Sequence, residues 1–230
     1  MTCSENAKVG TESLALITIL SKGLQMRANL VRNESRALII QRVAEILSEE
    51  RAAATNIESA VTKAGVDRDE VRATFGSMQG LILEMVSELS EALVQPLEDH
   101  VSDRTVRDVL IEFGNRLAES YSVSHLIALY RIVLTEATRH SGIGREFLER
   151  GPGKLGVCLA EYLEFAARQF NELQIRNPRC VADNFLSMLG DNLELSDAMT
   201  ATRTSSAKDH SEAVVEAVEL LCRGIVAKGK

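Results

Sequence analysis

Two arginines four residues apart, Arg68 and Arg72, have the spacing in this chain that most clearly suggests a chemical role. Residues at i and i+4 of a helix share one face, so both guanidinium groups would point the same way. A guanidinium binds phosphate in bidentate fashion, which suits a nucleic-acid backbone. Carboxylates at 67, 69 and 70 surround the arginines. They stabilise a helix N-terminus but repel phosphate, so they favour folding and oppose binding.

A tight corner at residues 64–66, Ala-Gly-Val, positions these arginines. Gly65 can take a left-handed backbone conformation and end a helix predicted over 56–64. Asp67 then serves as the N-cap of a helix over 68–75, and Glu70 completes a capping box. Two short helices joined in this way predict a helix-turn-helix, whose second helix lies in the major groove of DNA.

The corner also gives each polar residue a predicted role. Thr55 and Asn56 open the helix before the corner, where side chains and exposed amide groups can hold a phosphate. Val71 and Phe75 lie four apart on the opposite face of the next helix, so burying them turns the arginines to solvent. Arg68 then reaches base edges from the first turn, and Arg72 reaches the backbone.

The residues around the corner resemble the TetR/AcrR family of bacterial transcriptional regulators. The matching positions are Arg36, Ile39-Ile40, Ala44, Asn56-Ile57, Ala64-Gly65-Val66, Phe75, Ser77-Met78 and Leu81. A second stretch resembles the ligand domain of the AefR-like branch. It comprises residues 129–133, Glu136, residues 145–147, Gly151-Pro152-Gly153 and residues 181–195 with Phe185 and Gly190-Asp191.

This chain departs from the family pattern where phosphate is usually bound. Arg72 and Thr74 stand where the resemblance implies a Tyr and a His, and Met78 stands where it implies a Lys. Arg72 can still bind phosphate, whereas Met78 cannot. The predicted DNA-binding residues are therefore Arg36, Thr55, Asn56, Arg68, Arg72 and Thr74.

The charge balance argues against a general nucleic-acid binder. The chain has 230 residues and a net charge of −7. Residues 1–96 carry 10 Lys and Arg against 13 Asp and Glu, and the remainder carries 16 against 20. Because neither part is basic, DNA binding must come from a local cluster of cations.

Catalytic and metal-binding chemistry is poorly supported. The four cysteines lack the close spacing of a zinc site or a redox pair, and the four histidines lie far apart. Residues 151–154, Gly-Pro-Gly-Lys, have the wrong spacing for a phosphate loop, and Leu155 replaces the hydroxyl that would bind Mg²⁺. We therefore predict no enzyme activity, no cofactor and no metal, with residues 151–153 as a helix break.

The protein is expected to be cytoplasmic and bacterial. Free thiols fit a reducing compartment, and no apolar run approaches the roughly 20 residues that span a bilayer. The apolar stretch 14–20 lacks a following cleavage site, so a signal peptide is not expected.

Residues 12–30 look helical, either as an additional helix or as sequence upstream of a true start at Met26. With that start, Arg27, Arg32 and Arg36 would form a short arm suited to backbone contacts.

The rest of the chain predicts a helical bundle. Apolar residues recur at helical spacing from Arg36 onward. A helix carrying Leu81 to Leu89 is expected to stop before Pro96. Later helices are predicted at 144–150, from 155, at 178–198 and at 211–227, with a loop over 200–210.

Two functional surfaces are predicted within the bundle. An apolar pocket after Pro96 would use the aromatic residues Phe113, Tyr121, Tyr130, Phe147, Tyr162 and Phe165. A homodimer is expected because two recognition helices must reach half-sites about one helical turn apart. In proteins that resemble this one the final helices pair, which here implies Phe185, Leu189, Val214, Val218 and Leu221. The alternative is that the apolar stripes of both helices pack within one subunit.

These features predict an all-α fold with an extension at 1–35, a helix-turn-helix domain at 36–80 and a ligand-binding and dimerisation domain at 81–230. The expected function is that of a dimeric repressor released from operator DNA by a small apolar or amphipathic effector. The alternative is a helical dimer of the same fold that has lost DNA binding and binds small molecules or partners. No membrane partner is expected.

Overall fold

The computed structural model describes residues 33–50, 56–98, 104–123, 126–138, 142–170, 173–192 and 207–225. The fold is all-α, as predicted. The described residues form α1 (33–50), α2 (Ile57–Lys63), α3 (Arg68–Phe75), α4 (Met78–Glu98), α5 (Val106–Val123), α6 (Leu126–Ala137), α7 (Ile143–Arg150), α8 (Pro152–Gln169), α9 (Pro178–Asn192) and α10 (Ala207–Ile225). The predicted helix at 12–30 and the alternative start at Met26 lie outside the described residues.

The chain divides into two compact units, residues 1–42 and residues 43–230. In the first unit, the described residues 33–42 are helical, and Ile39 and Ile40 are buried. The second unit contains α2 to α10, so both short helices of the corner belong with the bundle. The domain boundaries at 35 and 80 stay a prediction.

Helix α4 is the central helix of the second unit. It packs against α2, α3, α5, α7 and α8. Its apolar positions, among them Leu81, Ile82, Met85 and Val86, are buried and repeat at helical spacing. The N-terminal end of α4 therefore holds the short helices, while the rest of its length faces the bundle.

The main core lies among α4, α5, α8, α9 and α10. Phe113 and Phe185 are fully buried there. Helices α5 and α10 cross closely at Gly114, where an added Cβ would lie 2.6 Å from Val214 Cγ1. A side chain at this position would force the two helices apart, so the close crossing depends on glycine.

Helix α4 does not stop before Pro96, as the sequence predicted, but continues to Glu98. Proline has no N–H, so the carbonyl of Ala92 lacks its usual partner four residues on. Arg116 of α5 supplies the missing bond, because its Nη1 donates to Ala92 O at 3.1 Å. The same nitrogen donates to Gln95 Oε1 at 2.7 Å. An arginine on a neighbouring helix thus allows proline inside α4.

Two further helix boundaries differ from the prediction. Helix α8 begins at Pro152 rather than Leu155, since proline suits the first turn, where its missing N–H costs no bond. Helix α10 begins at Ala207, so the predicted loop is wrong for residues 207–210. The remainder of that loop, 200–206, lies outside the described residues.

No described helix is long and apolar enough to cross a membrane.

Candidate functional site

The corner between α2 and α3 has the geometry that the sequence predicted. Gly65 has a φ of +67°, in the left-handed region. The N–H of Gly65 bonds the carbonyl of Thr62 at 3.1 Å, and the N–H of Val66 bonds that of Val61 at 3.1 Å. This pair of bonds is a Schellman motif. Because Val61 and Val66 are both buried, the turn is fixed by packing as well as by hydrogen bonds.

Side-chain caps fix the start of each short helix. Asn56 Oδ1 accepts from the N–H of Ser59 at 2.7 Å and caps α2. Asp67 Oδ1 accepts from the N–H of Asp69 at 2.8 Å and caps α3, as predicted. The predicted capping box is wrong, because the bond comes from Asp69 rather than Glu70. The carboxylate of Asp67 therefore has a structural use at the helix N-terminus.

Helix α3 presents its arginines to solvent. Val71 is fully buried and Phe75 is partly exposed, so the helix rests on the face that the sequence predicted. The side chains of Arg68 and Arg72 are 60% and 77% exposed. Both can therefore reach an approaching ligand without any change in the packing of α3.

Each arginine also contacts a carboxylate. Arg68 Nη2 lies 2.9 Å from Glu58 Oε2 on α2. Arg72 Nη1 lies 3.6 Å from Asp69 Oδ1, within α3. The second pair follows from the i,i+3 spacing, whereas the pairing of Arg68 with Glu58 joins two helices and was not predicted. It could have been found only by aligning the two helices across the corner.

Two of the other predicted DNA-binding residues, Asn56 and Thr74, lie in the same unit as these arginines. Thr74 lies on α3 and is partly exposed. Arg36 is partly exposed and belongs to the unit of residues 1–42, which is described by itself. Thr55 lies outside the described residues. The described part of the candidate interface therefore consists of Asn56, Arg68, Arg72 and Thr74.

A small apolar cavity of about 30 Å³ lies inside the bundle, between α4 and the helices that follow it. Its lining residues come from α4 to α8 and the α7–α8 junction: Val86, Leu89, Ser90, Leu93, Leu117, Leu126, Tyr130, Phe147, Gly151, Pro152 and Leu155. The ring centroids of Tyr130 and Phe147 are 5.1 Å apart in an edge-to-face arrangement. Ser90 and Tyr130 supply hydroxyl groups in an otherwise apolar wall.

Of the six aromatic residues predicted for the pocket, Tyr130 and Phe147 line this cavity. Phe113 and Tyr162 belong instead to the core around α5 and α8, and Phe165 lies on α8 outside the cavity wall. The side chain of Tyr121 lies outside the described residues. The prediction relied on ring content, but most of the wall is aliphatic. The α4 residues at 86, 89, 90 and 93 repeat at helical spacing, a signal that could have identified them.

The five residues predicted for the dimer interface are core residues of a single chain. Phe185, Leu189, Val214, Val218 and Leu221 are each at most 8% exposed within one copy. They are buried because α9 and α10 pack against each other and against α8 and α5. These side chains are therefore covered within one copy, and their assignment to a dimer interface stays a prediction. On α10, Leu220 is the large apolar side chain left exposed, at 55%.

The cysteines are poorly suited to nucleophilic chemistry. Burial, and then the charge of Glu161, raises the pKa of the Cys158 thiol. Burial and the charge of Glu219 raise the pKa of the Cys222 thiol in the same way. Both thiols stay protonated near neutral pH, and a thiol is a far weaker nucleophile than a thiolate. Among the described residues, no group of His, Cys, Asp or Glu could hold a metal ion.

Solved structures with this architecture are bacterial regulators. A TetR-family regulator from Mesorhizobium loti has a TM-score of 0.69 at 18% identity, covering 85% of this chain and 98% of that one. The flavonoid-responsive regulator FrrA has a TM-score of 0.61 at 20% identity, covering 86% and 100%. A TetR-family regulator from Pectobacterium atrosepticum has a TM-score of 0.55 at 20% identity, covering 87% and 98%. At these identities the likeness shows the fold.

The family follows from the sequence of the bundle. No curated protein matches the chain. The profile of the AefR-like transcriptional repressor C-terminal domain matches residues 108–224, from α5 to α10. Because that match spans more than half of the 230 residues, the chain belongs to the TetR family of transcriptional regulators, which are not enzymes, and its C-terminal domain is AefR-like.

Proposed function

We propose that the protein is a dimeric, ligand-responsive repressor. Helix α3 enters the major groove of operator DNA, with Arg68 on base edges and Arg72 on the phosphate backbone. A small apolar or amphipathic effector binds in the cavity between α4 and α8 and lowers the affinity for DNA.

The observation that carries this proposal is the position of α4. Its residues Val86, Leu89, Ser90 and Leu93 form one wall of the cavity. The same helix packs against α3. A displacement of α4 at the cavity therefore moves the support on which the recognition helix rests.

The size of the cavity supplies the reason for such a displacement. A volume of about 30 Å³ is far below the several hundred Å³ of typical ligand sites. An effector can enter only if the cavity walls move apart, and α4 is one of those walls. Effector and DNA then bind preferentially to different arrangements of α4. This difference in affinity is what couples effector binding to DNA release.

The wall also limits the chemistry of the effector. Its aliphatic and aromatic groups favour an apolar body, and the hydroxyls of Ser90 and Tyr130 can accept or donate one or two hydrogen bonds. Because FrrA, which shares this fold, is named as flavonoid-responsive, flavonoids belong in a test panel beside fatty acids and simple phenols.

Fluorescence anisotropy with duplex DNA from upstream of the protein's own gene tests the DNA step. Arg68→Ala should weaken binding by about 1–3 kcal/mol and relax sequence preference. Arg72→Ala should weaken binding to all sequences similarly and reduce the salt slope by about one.

The same assay tests the effector step, because effector candidates from the panel should release the DNA. Leu89→Phe, which fills the cavity, should reduce that release without reducing DNA affinity.

The pairing of both recognition-helix arginines with carboxylates favours a second candidate, a ligand-binding dimer that has lost DNA binding. In that case neither arginine substitution changes DNA affinity, and Asp69→Asn creates binding where little existed. That pattern would exclude the repressor and leave the effector cavity as the functional site.

The dimer is part of the proposal and rests on the need to reach two half-sites. Because the apolar stripes of α9 and α10 are occupied within one chain, the partner must use their outer faces. Exposed Leu220 on α10 is a suitable contact. Light scattering that finds a monomer at high micromolar concentration would overturn the dimer.

A further inference from the structure

All three cationic side chains of α2 and α3 are engaged by carboxylates. Residues 56–75, which the structure describes without a gap, contain Lys63, Arg68 and Arg72 as their lysines and arginines. Lys63 pairs with Glu50 of α1, Arg68 with Glu58 of α2, and Arg72 with Asp69 of α3. Each cation on the surface offered to DNA is therefore paired with a carboxylate, which offsets its charge.

The pair between Glu58 and Arg68 differs from the other two because it joins α2 to the first turn of the recognition helix. Glu58 Oε2 contacts one nitrogen, Nη2, at 2.9 Å. A guanidinium has five N–H donors, so the rest of the group can still donate to a base edge. Both side chains are more than half exposed, and such a pair contributes at most about 1 kcal/mol to folding. Its larger effect is on where the guanidinium points and how much charge it presents.

We infer that Glu58 is a positioning residue that sets the specificity of DNA recognition by holding and neutralising Arg68. This inference rests on the proposed DNA-binding function and adds a residue to it. Non-specific DNA offers mainly phosphates, and attraction to phosphate scales with the cationic charge that displaces counterions. A neutralised Arg68 gains little from phosphates alone. A guanine at the right place still accepts hydrogen bonds from the held guanidinium, so the operator retains its affinity.

The test compares Glu58→Gln with the wild type on operator DNA and on a scrambled duplex of equal length. One added phosphate contact changes log K by about 0.9 per decade of salt. In the proposed dimer each subunit adds one such contact, so affinity for the scrambled duplex should rise about tenfold per subunit at 0.1 M salt, and the salt slope should steepen by about two. Affinity for the operator should rise less, so the specificity ratio should fall.

Glu70 provides a matched control on α3. It is an exposed carboxylate outside the three pairs, so Glu70→Gln makes the same change in net charge without releasing an arginine. Its effect on the salt slope should be clearly smaller. In a chain that also carries Arg68→Ala, Glu58→Gln should change the salt slope no more than Glu70→Gln does. Glu58→Ala, which also releases Arg68, is a second variant if Glu58→Gln folds poorly.

The outcomes separate this inference from the function on which it rests. If the wild type binds its operator and Glu58→Gln behaves like Glu70→Gln, the inference fails and the repressor stands. If the wild type binds no DNA while Glu58→Gln binds any duplex, the masking of Arg68 is supported and the repressor fails. If neither protein binds any DNA, both fail.

Discussion

The cavity and the exposed surface of α2 and α3 are built on opposite principles. The cavity wall is drawn from five helices between Val86 and Leu155, and its residues are held by packing. The surface of α2 and α3 consists of exposed side chains joined in ion pairs, such as Asp69 with Arg72. The cavity wall therefore contributes directly to the stability of the fold, whereas the surface charges of α2 and α3 contribute little to it.

This difference predicts how the two regions tolerate change. Exposed ion pairs contribute about 0–1 kcal/mol, so DNA recognition can be altered without endangering the fold. Buried side chains contribute several times more, so changes near the cavity alter stability and ligand response together. Substitutions in the bundle and at its borders test this contrast, beginning with the largest expected effect.

Val218→Asp should unfold the chain rather than merely separate a dimer. Val218 is fully buried within one copy, and an unpaired buried charge costs on the order of 3–5 kcal/mol. Urea unfolding, monitored by circular dichroism, measures the decrease in the free energy of unfolding. Leu134→Asp, at an exposed position on α6, should change the free energy of unfolding by less than about 0.5 kcal/mol. A stable, folded Val218→Asp monomer would support the placement of Val218 in the dimer interface.

Phe147→Ala should lower the free energy of unfolding by about 3–5 kcal/mol, because it removes a buried ring and leaves a larger void. Tyr130→Phe keeps the edge-to-face pair and should cost under about 1 kcal/mol. Thermal unfolding with and without an apolar probe such as benzene adds a second measurement. The enlarged cavity of Phe147→Ala should bind the probe and recover stability. If Phe147→Ala is no less stable than the wild type, packing around Phe147 does not contribute to the stability of the fold.

Arg116→Met should destabilise the protein by about 0.5–1.5 kcal/mol, because the exposed carbonyl of Ala92 exchanges its hydrogen bond from the arginine for one from solvent. Adding Pro96→Ala in the same chain restores an N–H four residues from that carbonyl. The double variant should therefore regain part of the loss, and a double-mutant cycle measures the coupling. Strictly additive effects would mean that Arg116 does not substitute for the missing N–H.

Glu112 gives the bundle a modest acid sensitivity. Burial opposes its ionisation, but the hydrogen bond from Arg104 and the charges of Arg104 and Arg116 outweigh it. The pKa of Glu112 therefore lies below its ordinary value of 4.5. A depressed pKa contributes stability above the unfolded-state value, and that contribution is lost as pH falls through the folded-state value. The stability difference between wild type and Glu112→Gln should thus shrink below about pH 4.5.

The sequence predicted local features better than contacts between distant segments. Gly65, Asp67 and Val71 have the predicted conformation, cap and burial, because each depends on neighbours within one or two turns. The all-α fold and the family were also predicted, since helical periodicity extends over most of the chain.

Features that depend on packing between distant helices were missed. The stripe on α10 looked available to a partner, since periodicity reveals an apolar face but not which surface covers it. Pro96 was predicted to end α4, because nothing near it in sequence indicates that Arg116 would supply the bond. The aromatic residues were assigned to a pocket by type, although core packing placed Phe113 and Tyr162 elsewhere.

The bond from Arg116 to the Ala92 carbonyl also has an evolutionary consequence. It links an imino acid on one helix to a cation on the next. A lineage that lost the arginine first would leave that carbonyl to solvent, and a lineage that lost the proline first would not. We therefore expect the two positions to covary among relatives, with arginine persisting wherever proline is present and drifting freely once proline is gone.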